Sequence, residues 1–373
     1  MSQVWTRSRA GTAPPSGRVL VRSPLPERPQ VHLISLPIEW ELESTQVYFV
    51  EDDPLTLIDT GVKSRASLAA LESALEELGY GVADIERVVL THGHRDHFGL
   101  VETLRERGAR LECWVHEADA PMVEDFEAVV RARLADTFEL FREAGATEEV
   151  LERIEGDRFH TLDQNLAEGQ STRVDRALRE GDRVEWKDFA VRVLHSPGHT
   201  PGHLLLEDEK AGLLFTGDQV MGQVVPRAET FYLDAIPDPS DPCWRRPRFK
   251  GLVELRRSLR RLRGRNDKWL LPGFGGLVRR ADRTIRDTIL YYDVRLQRID
   301  RSLRHLASMN QENQKNQELT AFELRSALFP PDEPLEQIRA QMLLLIGALD
   351  CLEEDGLVVT RRRSDGVLAH RHR

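Results

Sequence analysis

"THGHRDHFG", residues 91–99, sets three histidines and one aspartate within six positions, with glycines between and after them. A divalent transition metal takes imidazole nitrogen and carboxylate oxygen, and several such groups must converge on one point. His92 and His94 flank Gly93 on a loop that can curl until both rings face that point. Asp96 and His97 follow at a predicted helix start. The β-branched run "IERVVL" (85–90) leads straight into the cluster, so it leaves a strand end. Two later loops carry compatible groups beside strand-like runs: "SPGHTPGH" (196–203), with His199 and His203, and "FTGD" (215–218), with Asp218. A lone histidine is usually structural. Four groups at HxHxDH spacing, joined by later ones at strand ends, are a metal constellation.

Outward from this point the chain alternates strand and helix signals. "VHLISLPI" (31–38), "QVYFV" (46–50) and "LTLIDTG" (55–61) read as strands, and a helix follows with Leu68, Leu71, Leu75 and Leu78 on one face and Gly79 at its end. "LECWVHE" (111–117) is another strand, then a Glu-, Arg- and Leu-rich helical insertion spans about 118–175. Strands return at "FAVRVLH", "HLLLED", "AGLLFTGD" and "KWLLPGFGG". Strands mixed with helices, with polar motifs at strand ends, describe an α/β sandwich whose site is built by loops. Beyond residue 300 the order is helix, longer leucine-rich helix, then two strand-like pieces about a Ser-Asp-Gly turn, the order of a winged helix. The expected organisation is a loose arm (1–30), a catalytic domain (31–300) and a small C-terminal domain (301–373).

The 373 residues are 40% hydrophobic and 31% charged, with a formal net charge of −10, which argues against a generic nucleic-acid binder. From Arg245 to Arg265 there are ten Arg or Lys residues and one acid, Glu254. Leu252, Leu255, Leu259 and Leu262 recur there at helical spacing, so the arginines are expected on a solvated face, with docking of an anionic partner as the minor alternative. Cys113, Cys243 and Cys351 form no CxxC pair, the N-terminal stretch has no apolar core of a secretory signal, and no run reaches membrane-span length. A cytoplasmic protein without a membrane partner is the expectation.

"THGHRDHFG", preceded by "LIDTG" and followed by "SPGHT" and "FTGD", resembles the metallo-β-lactamase-fold hydrolase superfamily, with its motifs in family order. The resemblance implies an αββα sandwich with a dinuclear, usually zinc, site at one edge. It implies that His92, His94 and His199 hold one metal, Asp96 and His97 a second, and that Asp218 bridges them. Asp59 of "LIDTG" then lies beneath as an orienting carboxylate, and His195 and His203 support the site or the local structure. The chain departs from the pattern at "LLPGFGG", where Phe274 stands in place of a histidine. The second metal is then weakly held, or a group such as Asp234 or Cys243 substitutes, or the site is specialised or weakened. One or two Zn2+ per chain are expected, with Fe or Mn compatible. The C-terminal segment resembles the winged-helix extension of one lactamase-B-like branch of this superfamily.

The resulting expectation is a hydrolase in which metal-bound water becomes hydroxide near neutral pH. Its substrate is a small ester, thioester or lactone, and Asp96 orients the water or passes a proton to the leaving group. No GxSxG elbow or P-loop competes. β-Lactam hydrolysis is disfavoured because nothing suggests export. The rivals are an RNA phosphodiesterase, drawing on Arg361, Arg362 and Arg363, and a binding protein whose site is impaired at Phe274. For the C-terminal domain, packing against the catalytic domain is preferred over nucleic-acid binding, with homodimerisation through its leucine face as a further role.

Overall fold

The computed structural model describes residues 19–373 apart from 40, 41, 223, 235–244 and 313–317. Cys243 therefore lies outside the described residues. Two compact units emerge: residues 1–130, 163–226 and 258–288 form the first, and 131–162, 227–257 and 289–373 the second.

In the first unit two sheets form. The seven-stranded sheet runs in chain order through Leu20–Val21 (β1), Val31–Pro37 (β2), Ser44–Val50 (β3), Thr56–Ile58 (β4), Arg87–Val89 (β5), Glu112–His116 (β6) and Arg176–Leu178 (β7). β1 to β4 pair antiparallel and β4 to β7 parallel. The second sheet contains Arg183–Glu185 (β8), Ala190–His195 (β9), Leu204–Asp208 (β10) and Leu213–Gly217 (β11). Thr230–Tyr232 (β12) and Arg248–Lys250 (β13) pair in the second unit, while Trp269–Pro272 (β14) and Val278–Arg279 (β15) return to this sheet, whose order is β15-β14-β11-β10-β9-β8. β11 and β14 are parallel and the remaining neighbours antiparallel. One core of Leu33, Tyr48, Ile58, Val193, Leu206 and Phe215, among others, joins the two sheets. Such burial at roughly 25 cal/mol per Å2 is what holds a sandwich together. The Tyr48 hydroxyl also donates across it to the Pro272 carbonyl at 2.8 Å.

The helix Arg65–Leu78 follows its leucine spacing: Leu68, Leu71 and Leu75 are buried, and the Ser64 hydroxyl caps its start by accepting from the Ser67 amide. Of the arm expected over 1–30, the described residues start at 19, and among them Leu20 pairs with Ile34 in the sheet and Leu25 is fully buried. The mixed α/β architecture agrees with the expected sandwich.

In the second unit the expected helix pair and hairpin are present as Ala321–Leu328, Leu335–Glu354, Val358–Arg362 (β16) and Leu368–His372 (β17). The basic stretch departs from expectation. Leu252, Leu255 and Leu259 are buried in the helix Gly251–Arg261 as the spacing predicts, but the arginines within this unit are not simply solvated. Arg248 pairs with Asp350 at 2.7 Å, Arg245 with Glu353 at 3.1 Å and Arg256 with Asp355 at 3.0 Å. Arg257 pairs with Glu354. The acidic run at the end of the helix Leu335–Glu354 is their anionic partner, and cations at a helix C-terminus also suit its dipole.

His370 is buried beside these pairs, and burial pushes its imidazole down to about 3, with Glu353 opposing and Arg248 adding to the shift. The unfolded chain takes up this proton near pH 6.5 and the folded chain does not. Its contribution is therefore complete above pH 6.5 and lost as pH falls towards 3. Urea unfolding followed from pH 7 to 4 is expected to show declining stability. His370→Gln should flatten that slope by up to about 1.4 kcal/mol per pH unit.

Candidate metal centre

β4, β5 and β6 run parallel, and β9, β11 and β14 share one direction in the other sheet. Asp59 follows β4, His92 follows β5, His199 follows β9, Asp218 follows β11 and Phe274 follows β14. Strand ends of a packed sandwich are rigid platforms, so short loops beyond them hold side chains precisely.

His92, His94 and His199 come together with one ligand atom each, and so do His92, His97 and Asp218, with all atoms of each group within 4.8 Å of one another. Ring centroids are 4.8 Å apart for His92 and His94, 4.7 Å for His92 and His199, and 4.6 Å for His94 and His199. Asp218 faces both groups: Oδ1 lies 3.5 Å from His97 Nε2, and Oδ2 lies 3.5 Å from His199 Nε2. Asp96 Oδ2 stands 3.6 Å from His97 Nε2. These separations are too long for good hydrogen bonds between buried groups, yet they suit donors that share a cation. The donor set fits a divalent metal.

Beneath the cluster Asp59 accepts from the Thr91 amide and hydroxyl, each at 2.8 Å, and its Oδ2 lies 2.8 Å from His97 Nδ1. That bond fixes the His97 ring with Nε2 turned towards Asp96 and Asp218. Asp59 itself adopts φ +62, a left-handed conformation that aspartate tolerates better than most residues. His203 is fully buried, and its Nε2 accepts from the Asp218 amide at 3.1 Å. His195 joins neither ligand group; it stacks on His116 with centroids 4.0 Å apart, and its Nε2 lies 2.8 Å from the Pro201 carbonyl. Asp234 is exposed and joins neither ligand group. The sequence reading did not single out Asp119, which is buried beyond the end of β6. Its position at a parallel strand end, like those of Asp59 and His92, was the available signal.

Burial lowers His92 and His203 well below the ordinary imidazole range, and neighbouring imidazoles push the same way. Both are thus neutral, with lone pairs available. For His97 burial works against charge, but Asp59, Asp218 and Asp96 outweigh it and raise the ring well above its usual value. Burial opposes ionisation of Asp218 too, yet His97 and the other imidazoles bring it down to about 2.

The model of the metallo-beta-lactamase superfamily matches residues 40–273. A probable metallo-hydrolase of Bacillus subtilis, YqjP, is 26% identical over 332 residues, which covers 88% of this chain and 93% of that protein. A hydroxyacylglutathione hydrolase of Cereibacter sphaeroides is 29% identical over 164 residues, 44% of each chain. A crystal structure of a metallo-beta-lactamase family protein from Thermus thermophilus aligns with a TM-score of 0.68 and 25% identity, covering 92% of this chain and 99% of that one. The chain belongs to the metallo-beta-lactamase superfamily, and it is a metal-dependent hydrolase. No helix among the described residues is long and apolar enough to cross a membrane.

Asp59→Ala leaves two donors of Thr91 and the His97 ring without their acceptor. At about 1–3 kcal/mol per unmet buried group, a loss of several kcal/mol in metal-free stability is expected. Metal affinity should also fall by roughly 10- to 100-fold. Denaturant unfolding and chelator competition measure the two effects separately.

Proposed function

We propose that the chain hydrolyses a small ester, thioester or lactone at a metal held by His92, His94 and His199, with a weaker second position at Asp96, His97 and Asp218. The convergence of the three imidazoles carries the reading. A divalent metal supplies Lewis acidity there and lowers the pKa of water. Imidazole donors suit zinc first and iron next, whereas the carboxylate-rich position also suits manganese. Asp218 lies between the two groups and supports both. Asp96, buried beside His97, is positioned to orient water and to carry a proton towards the leaving group. The hydroxyacylglutathione hydrolase likeness supports an acyl substrate, although it spans less than half of each chain.

The RNA phosphodiesterase reading has less support. Ala321–Leu328, Leu335–Glu354 and the hairpin β16–β17 suit a winged-helix reading, but the longer helix has twelve buried positions. A helix covered to that extent is not free to lie in a groove. Of the hairpin arginines, Arg362 stands 3.6 Å from Glu143, and Arg363 donates to the Glu318 carbonyl at 3.2 Å. These contacts favour packing as the role of the segment. The third reading, a protein that binds without turnover, yields to the superfamily match. Cys113 and Cys351, free and buried, fit a cytoplasmic location.

The weak second position rests on its donor inventory. The Phe274 ring meets His97 edge to face at 6.0 Å and packs with Ile38, Val62 and Met221, so that flank offers no lone pair. Elemental analysis after dialysis against a weak chelator should give about one metal per chain, rising towards two when excess zinc is restored. Two tightly held metals would mean that another group completes the second position. The metal-loaded chain should turn over thioester, ester or lactone substrates and leave RNA intact. RNA cleavage without acyl turnover would reverse the ranking.

A further inference from the structure

Asp119 occupies the N-cap of the short helix Ala120–Glu124, yet its carboxylate makes no capping hydrogen bond there. An aspartate there normally accepts from its own first-turn amides. Here the side chain turns towards two other loops. Oδ2 accepts from the Gly93 amide at 2.9 Å and from the Thr200 hydroxyl at 2.6 Å, and Oδ1 accepts from the Gly202 amide at 2.6 Å. Gly93 sits between His92 and His94, whereas Thr200 and Gly202 belong to the loop that carries His199. One carboxylate thus ties together the two loops that supply all three imidazoles.

The surroundings are shaped for this contact. A Cβ at Gly202 would stand 2.7 Å from Asp119 Cγ and 2.7 Å from its amide nitrogen, closer than real Cβ atoms approach. A Cβ at Gly93 would meet the Asp119 carbonyl oxygen at 3.2 Å and Cβ at 3.3 Å. The glycines of "HGH" and "TPGH" are therefore what lets both loops close on the carboxylate. Asp119 is only 2% exposed. Burying a carboxylate is costly unless donors satisfy it, and charge-assisted bonds are the strong class, so the three donors and the anion hold one another in place. The loops are also joined directly by the Leu204 amide donating to the Thr91 carbonyl at 2.7 Å, but that bond is made by residues before and after the ligands. Asp119 holds the segments that bear them.

We infer that Asp119 is a positioning residue of the metal centre: by clamping the Gly93 and Thr200–Gly202 segments it sets the spacing of His92, His94 and His199, and hence the affinity of the three-imidazole position. The inference rests on the reading that these histidines hold the metal. Outer partners of metal ligands typically contribute 10- to 100-fold in affinity.

Zinc affinity measured by chelator competition on the full chain, together with thermal unfolding of the metal-free chain, tests this. Asp119→Ala should bind zinc roughly 10- to 100-fold more weakly. Asp119→Asn, which keeps one acceptor oxygen, should fall between it and the parent. Thr200→Val removes a single donor and should weaken zinc several-fold with little effect on folding, which keeps the test open if Asp119→Ala does not fold. As a control, Asp175 accepts from the Cys113 amide and pairs with Arg105, touching neither ligand loop. Asp175→Ala should lower metal-free stability without changing zinc affinity. Parental zinc affinity in folded Asp119 and Thr200 variants would overturn the inference. A parent chain that binds no zinc would instead remove the metal-site reading on which it stands.

Discussion

The His92 imidazole touches four others. Its ring centroid lies 3.9 Å from that of His97, 4.7 Å from His199, 4.8 Å from His94 and 5.0 Å from His203, and solvent does not reach it. So many titratable rings in a dry space can persist only if most are neutral, and burial enforces that at His92 and His203. His97 is the exception because Asp59, Asp96 and Asp218 gather around it. One group of ligand atoms is thus all imidazole, whereas the other sets His97 among carboxylates. A divalent cation at either group would find lone pairs to accept or carboxylates to neutralise. The folded chain carries this unfavourable grouping in advance, which is the preorganisation a metal enzyme requires.

That grouping needs a scaffold that does not relax. The two sheets share one apolar core, and the ligand-bearing loops leave strands at its rim. Asp59 bonds to Thr91 and His97, His203 accepts from the Asp218 amide, and Asp119 bonds to both histidine loops. Each interaction joins segments distant in sequence. The centre is thus cross-braced from several strands, and a shift of one loop is resisted by another.

The residues with ligand chemistry were legible because imidazoles and carboxylates at short spacing beside β-branched runs have few other uses. The layers of the fold followed from the same runs. Asp119 was not legible, because a single aspartate in "HEADAP" looks like any surface or capping acid until the chain folds its carboxylate onto Gly93 and Gly202. The basic stretch misled for a related reason. Helical spacing put the leucines inside correctly, but it could not show that Arg256 is buried or that Asp350, Glu353, Glu354 and Asp355, about a hundred positions later, meet Arg248, Arg245, Arg257 and Arg256. Pairing between remote charges is set by tertiary packing and leaves no local periodicity. The second unit illustrates the same limit, since it gathers 131–162 and 227–257 with the C-terminal residues through contacts such as Arg339 with Asp157 at 2.7 Å.

Phe274 gives the two sides of the centre different characters. Its ring stands against His97, and with Ile38, Val62 and Met221 it forms an apolar flank there. An apolar flank lowers the local dielectric, so the attractions among His97, Asp96 and Asp218 are stronger than they would be beside water. The same wall keeps water from the face of His97 that it covers. A donor at position 274 would add a ligand but remove this wall. The aromatic residue therefore sets an apolar wall against His97 where a histidine would have offered a donor.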